Sequence, residues 1–162
     1  MSREGEMMTV VGYAPGAWDL FHVGHLNVLR HARERCDYLV AGVVDDANLE
    51  RVKGRRPVVP TLERAEIVRA ITYVDEVLVE TQPDKLETWR RRPFDVFFKG
   101  DDWRGTPQGA DLERRFGSVG VRVVYFPYTV HTSSTRLRRA LELLEPVVSR
   151  REPDEESESR LG

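Results

Sequence analysis

The chain has 162 residues, 40% of them apolar, enough for one domain with a buried core and too few for two. Its 25 lysines and arginines against 27 aspartates and glutamates leave a net charge of −2, which gives no basic field of the kind that draws in a nucleic acid. The single cysteine, Cys36, excludes an internal disulfide, and no apolar run is long enough for a membrane span or a signal sequence, so the expected compartment is a reducing cytoplasm.

Residues 1–7 are polar and aperiodic and are expected to form a flexible N-terminus ahead of a domain over 8–145. The run TVVGYA (9–14) reads as a first strand, followed by a loop with Pro15 and Gly16 and a helix from Val23. His22 and His25 therefore fall on the first turn of that helix, where backbone donors favour an anion, and Gly24 between them admits a close ligand. Residue types alone leave two other readings open: cap and surface histidines, or a metal held by Asp19, His22 and His25. The glycines fit neither G-x-G-x-x-G nor G-x-x-x-x-G-K-[ST]. Cys36, late in the amphipathic stretch, is expected to pack rather than react.

YLVAGVV (38–44) is the second strand, followed by Asp46 and a basic loop, ERVKGRRP (50–57). The next helix, 61–74, starts at Thr61 as its cap, with Arg64 in the first turn, where a cation opposes the helix dipole unless an anion is bound. Further strands are EVLVE (76–80), DVFFKG (95–100) and VRVVYF (121–126), with helical spacing in 83–92 and 109–116 between them and in 133–145 at the end. The fourth strand runs into KGDDW (99–103), and the fifth into YTVHTSSTRL (128–137), whose serines can cap a helix and donate to phosphate. Residues 146–162, rich in proline, serine and charge, are expected to be a disordered tail. Strict alternation of strands and helices implies an α/β single domain with a five-stranded parallel sheet and helices on both faces, binding its ligand beyond the carboxyl ends of the strands.

With DLFHVGH and KGDDW in this order, and with ERCDYLVAGVVDD, RPVVPTLERAEIV and YVDEV between them, the chain resembles the His-x-Gly-His nucleotidyltransferases, especially bacterial glycerol-3-phosphate cytidylyltransferase, over roughly residues 9–142. The resemblance implies a Rossmann-like fold, usually homodimeric, that transfers CMP from CTP to a small alcohol phosphate with Mg2+ and releases pyrophosphate. It implies that His22, His25 and Lys53 act in catalysis, with Arg55 or Arg56 assisting. Asp19, Gly24, Asp46, Asp101, Asp102, Trp103, Ser133 and Ser134 would face the nucleotide, and Arg64, Asp75 and Tyr128 the acceptor. No metal ligands are assigned.

The attacking phosphate monoester is already anionic at neutral pH, so the chemistry needs positioning and charge neutralisation rather than a strong base. The chain departs from the family pattern where Tyr128 and Thr72 replace arginines and His131 replaces a glycine. Loss of bidentate phosphate contacts points to an altered acceptor, such as another polyol phosphate, a phosphonate or an amino-alcohol phosphate. An ATP-dependent adenylyltransferase of sugar phosphates is the alternative, since VKGRRPVVPTLERAEIV resembles those enzymes too, and a nucleotide-binding module without turnover is a third.

Overall fold

The computed structural model describes residues 8–127 and 131–148. Tyr128 and nearly all of the two expected flexible ends lie outside them. Five parallel strands, β1 (Val11–Gly16), β2 (Tyr38–Val44), β3 (Glu76–Glu80), β4 (Val96–Gly100) and β5 (Arg122–Phe126), form one sheet in the order β3-β2-β1-β4-β5. The helices are α1 (Val23–Arg33), α2 (Asp46–Lys53), α3 (Thr61–Arg69), α4 (Lys85–Arg91), α5 (Pro107–Gly117) and α6 (Ser134–Val148). The chain steps outward from β1 to β3, then returns to the other side of β1 as β4. Its topological switch therefore lies between β1 and β4, the place where open α/β sheets bind ligands.

The period-two alternation of each strand divides the core between the two faces. Ala14, Ala41, Val43, Val96 and Phe98 pack with Leu29 and Ala32 of α1 and Ala65 and Val68 of α3. Tyr13, Val40 and Phe97 face the other way, onto Leu112 and Phe116 of α5, with Leu86 and Trp89 of α4 alongside. Beneath that second face Glu80 is fully enclosed, accepting from the Tyr13 hydroxyl at 2.8 Å and the Thr88 hydroxyl at 2.9 Å and pairing with the Lys85 ammonium.

Strand β1 runs two residues later than TVVGYA suggests and includes Pro15. Its central position would normally exclude proline, and the ladder explains why it does not. Val10 accepts from Tyr38 on the β2 side, whereas Val11 accepts from Asp95 on the β4 side. Two-residue alternation then turns the missing N–H of Pro15 toward β4. Strand β1 pairs with β2 over six residues but with β4 only at Gly12 and Tyr13. Beyond that the two strands part and leave a crevice at the switch point.

Helix α2 replaces the first half of the expected basic loop, so Lys53 ends a helix. Asp45 caps it by accepting from the amide of Asn48, and Gly54 closes it at φ 70°. Thr61 is not the cap of α3, whose N-cap is Pro60 without a side-chain bond; the Thr61 hydroxyl accepts instead from the amide of Asp46. At the other end α6 continues to Val148, three residues into the expected tail, carrying Pro146 at the loss of one helical hydrogen bond. Among the described residues no helix is long and apolar enough to cross a membrane.

Replacing Tyr13 by phenylalanine removes one of three partners from a buried carboxylate. We expect a loss of roughly 1–3 kcal/mol in urea unfolding with an unchanged m-value; an unaltered midpoint would contradict a stabilising role for this bond.

Candidate active site

The loop from β1 to α1 is held in an unusual backbone shape. Trp18 and Leu20 both adopt left-handed conformations, φ 55° and 51°, on either side of Asp19. Trp18 is buried and donates its indole N–H to the carbonyl of Gly42 at 2.8 Å. A side chain at Gly16 would meet the Trp18 ring at 2.9 Å, so glycine is required there. Asp19, 2% exposed, accepts from the amides of Val58 and Val59, each at 2.9 Å, and from Arg138 at 3.1 Å. Burial alone would raise its carboxyl, but these donors outweigh it and hold the group below the ordinary aspartate range.

His22 is the N-cap of α1, and its Nδ1 accepts from the amide of Gly24 at 3.0 Å. Three residues on, Nδ1 of His25 accepts from the amide of His22 at 3.3 Å. The pair forms a reciprocal capping box with imidazoles where a hydroxyl and a carboxylate usually stand. Since both Nδ1 atoms accept, each neutral ring carries its proton on Nε2 and is a donor there. The rings stack at 3.9 Å between centroids, and Trp18 and Phe21 lie 5.4 and 5.3 Å from His25. Burial, helped by the neighbouring His22 ring, whose protonation would compete with that of His25, and by the Lys53 ammonium, and opposed by Asp19, pushes His25 down to about 3; burial also lowers His22.

Helix α6 closes the site from the other side. Ser133 caps it by accepting from the amide of Arg136, while Ser134 donates to the carbonyl of Asp19 at 2.6 Å and lies 3.5 Å from His25 Nε2. One turn on, Arg138 pairs with Asp19 through Nη2, and its Nε and Nη1 are buried with no acceptor among the described residues. Arg138 shares a small crevice with Asp19, Lys53, Arg55 and Arg56. Arg56 is bound to Glu50 at 2.9 Å, whereas Arg55 has no ion pair with a carboxylate among the described residues. Partial desolvation, then Arg138 and Arg55, lowers the Lys53 ammonium.

A second, larger cavity of about 630 Å³ opens where β1 and β4 diverge, lined by Pro15, Gly16, Lys53, Lys99 and Trp103 among others. Lys99 holds its ammonium 4.2 Å from the centre of the Trp103 ring. Lys53, Leu49 and Ala17 line both cavities, so the two meet at Lys53.

The structure thus brings together Asp19, His22, His25, Lys53 and Ser134, with Gly24 and Ser133 beside them, though the Gly24 amide serves the His22 cap rather than a ligand. Other expected site residues stand elsewhere or serve otherwise. Arg64 is fully buried, and all five of its N–H groups are engaged, by the carbonyls of Val59, Ala17 and Val44, by Asp46 at 2.6 Å and by Thr61. It is a brace, with no donor left for an acceptor phosphate, and Asp46 is its counter-ion. Asp75 lies at the amino end of the sheet, bound to the amide of Leu39 and to Arg33, away from the histidines. Thr72 precedes it in the same approach to β3. Asp101 pairs with Arg104 in the turn after β4, next to Asp102, whose charge acts on Lys99. Tyr128 lies outside the described residues, and the His131 carbonyl accepts from Arg136 at 2.5 Å.

Arg138 and Lys99 escaped the sequence reading. The signal for the first was helical spacing, Ser134 and Arg138 lying four apart on one face; for the second, a lysine ending an otherwise apolar strand. Among the described residues no three His, Cys, Asp or Glu side chains cluster as metal ligands, and the carboxylates of Asp19 and Asp46 are already bound by protein donors.

A parallel sheet with its crevice at the switch point, two capped imidazoles and an arginine with two nitrogens unpartnered among the described residues mark the candidate site of a Rossmann-like α/β protein. Comparison with known proteins takes this further: residues 13–140 match the Cytidylyltransferase-like family, and the chain belongs to it. It is a nucleotidyltransferase. The chain is 32% identical over 145 residues to the FAD synthase of Pyrococcus horikoshii, covering 88% of this chain and 95% of that protein. It is 39% identical over 128 residues to the bifunctional protein HldE of Gluconacetobacter diazotrophicus, covering 78% of this chain but only 26% of HldE, about a quarter of its length. The lipopolysaccharide core biosynthesis protein of Thermoplasma volcanium shares the fold with a TM-score of 0.64 at 21% identity, over 77% of this chain and all of that one. The specific likeness to glycerol-3-phosphate cytidylyltransferase is not among these.

The histidines set a pH dependence. Unfolded His25 takes up a proton near the ordinary 6.5, whereas the folded residue stays neutral down to about 3. Between these values the unfolded chain binds more protons, so stability falls as pH falls from 6.5. Asp19 acts lower, its contribution being lost below the ordinary carboxylate value of 3.8. His25→Asn, which keeps an acceptor for the His22 amide, should flatten the unfolding free energy between pH 6.5 and 4.5; an unchanged slope would refute the neutral assignment.

Proposed function

We propose that the protein transfers the nucleoside monophosphate of a nucleoside triphosphate, ATP in the favoured reading, to an organic phosphate monoester. An oxygen of the acceptor phosphate attacks the α-phosphorus in line, the bond to the bridging oxygen breaks, and pyrophosphate leaves with that electron pair. The observation that carries this reading is the pair of Arg138 nitrogens left without an acceptor among the described residues, in the crevice of Lys53 and Arg55, beside two imidazoles whose protons are confined to Nε2. Donors buried without acceptors are costly, and a polyphosphate supplies the acceptors.

His22 and His25 then donate to phosphate oxygens as neutral groups, with the N-terminus of α1 behind them. Ser134 stands beside His25 and ties α6 to the β1 loop. Lys53, at the junction of the two cavities, meets the reacting phosphates of both substrates. Mg2+ bound with the triphosphate would supply further charge neutralisation beside Lys53 and Arg55.

ATP is favoured by the relative that this chain matches over nearly its whole length, because FAD is an adenylate joined to a flavin phosphate. A cytidylyl donor, with glycerol 3-phosphate or another polyol phosphate as acceptor, is the second reading, supported by KGDDW, whose Trp103 stands at the cavity wall.

At equal concentration ATP should raise the melting temperature more than CTP; a larger shift with CTP transfers the assignment to the cytidylyl reading. With either nucleotide, His22→Ala or His25→Ala should lower kcat for pyrophosphate release by about 100-fold or more. Arg138→Ala should weaken nucleotide binding by about tenfold or more. Near wild-type turnover in a folded histidine variant would refute the proposed mechanism.

A further inference from the structure

Resting on the reading of His22 and His25 as neutral donors to the nucleotide phosphates, we infer that Trp18 is a positioning residue, the side chain that sets the turn of the His25 ring from which Nε2 donates. The polar contacts of that ring do not fix it. Nδ1 accepts from the amide of His22 at 3.3 Å, and Nε2 stands 3.5 Å from the Ser134 hydroxyl, whose own proton goes to the carbonyl of Asp19 at 2.6 Å. Both imidazole contacts are longer than the usual range of about 2.7–3.2 Å for an N–H bond. The outer torsion of a histidine has broad minima, so the orientation of His25 is left to the rings packed against it.

Three rings do so. His22 stacks at 3.9 Å, Phe21 lies at 5.3 Å with its plane tilted 40°, and Trp18 meets His25 edge-on, at 5.4 Å and 69°. His22 belongs to the same helix start as His25 and moves with it, and Phe21 is only half-buried. Trp18 alone of the three is tied to another element: it is 5% exposed, and its indole N–H bonds at 2.8 Å to the carbonyl of Gly42 in β2, an interior strand. Its backbone is left-handed, φ 55°, a conformation that a bulky residue rarely keeps unless its surroundings over-determine it. A relay thus runs from β2 through the indole to His25. The charged and titratable groups around that ring are Asp19 in the same loop, His22 on α1, Lys53 at the end of α2 and, from α6, Arg138 paired with Asp19. Burial is the strongest influence among them and keeps His25 neutral. Without the indole, water reaches the ring, and a proton on Nδ1 turns the acceptor of the His22 amide into a donor.

Nitrogen NMR of the intact chain labelled at histidine, without nucleotide, reads the ring directly. In the wild type His25 should show one tautomer, with the proton on Nε2, and no titration between about pH 8 and 4.5. In Trp18→Leu it should show mixed tautomers and a titration moved up toward the ordinary 6.5. The same variant should lower kcat for pyrophosphate release about tenfold or more, with KM for the nucleotide within about threefold, because a donor that has turned is lost mainly to the transition state. Trp18→Phe, which keeps a ring beside His25 but gives up the bond to Gly42, should fall between the two. Val68→Ala, in the same core but on α3, separates positioning from stability: it should lower the melting temperature and leave both the His25 tautomer and kcat as in the wild type. Should Trp18→Leu fail to fold, Trp18→Phe against Val68→Ala makes the same comparison. A His25 signal unchanged in the Trp18 variants, or a kcat no lower than that of Val68→Ala, would overturn the inference. Absence of pyrophosphate release from the wild type with ATP and CTP alike would instead overturn the nucleotidyl-transfer reading, while the tautomer of His25 would still report whether Trp18 holds the ring.

Discussion

Asp19 is the residue on which the site depends. Its carboxylate holds the amides of Val58 and Val59, and so the segment between α2 and α3, and it anchors Arg138 of α6. Its carbonyl accepts from Ser134, the first residue of the same helix. Three parts of the chain more than thirty residues apart are thus fixed around one side chain. The cost is visible next to it, in two non-glycine residues held in left-handed conformations, each worth about 1–3 kcal/mol of strain. Burial of Trp18 and its bond to Gly42 help to hold that shape.

What the clamp preserves is a set of donors fixed in place, ready for the nucleotide of the proposed reaction. The capping box fixes the tautomer of both histidines, and burial keeps them neutral, so they offer N–H groups without competing for the proton of a substrate. The positive charge is supplied separately, by Lys53, Arg55 and Arg138. Phosphoryl chemistry needs this division, because the attacking phosphate is already ionised and the transition state demands neutralisation more than proton transfer. The other half of the geometry comes from Pro15, whose missing N–H ends the β1–β4 ladder and lets the strands part. Arg64 is an internal strut that binds the β1 loop, the end of β2 and the approach to α3 at once.

The five strands and the helices of the sheet's two faces were legible because their hydrophobic periods are clean and each is bounded by turn residues. Helix α2 was hidden by its own charge: DANLERVK has little apolar contrast, and only the Asp45 cap and Gly54 mark its ends. The histidine pair was legible as a placement on the first turn of α1, while its cap geometry was not, since a His-x-x-His box uses side chains that capping rules rarely consider. Arg64 shows the limit most clearly. A cation at a helix start does point to an unusual counter-charge, but the sequence could not say that the counter-charge is Asp46 and three backbone carbonyls rather than a substrate. Only likeness of position points to Asp75, and the sheet places it at the opposite end from the histidines. Arg138 is within reach of sequence reasoning once the helix face shared with Ser134 is followed one turn further.

The central claim is a single displacement, with the histidines as donors and never as nucleophiles. The stereochemistry of transfer from a nucleoside triphosphate chiral at an α-thiophosphoryl group tests it directly, by comparing the configuration at phosphorus in substrate and product. One in-line attack by the acceptor phosphate predicts inversion. Retention would require two displacements through a phosphorylated His22 or His25, and would contradict a purely hydrogen-bonding role for the pair.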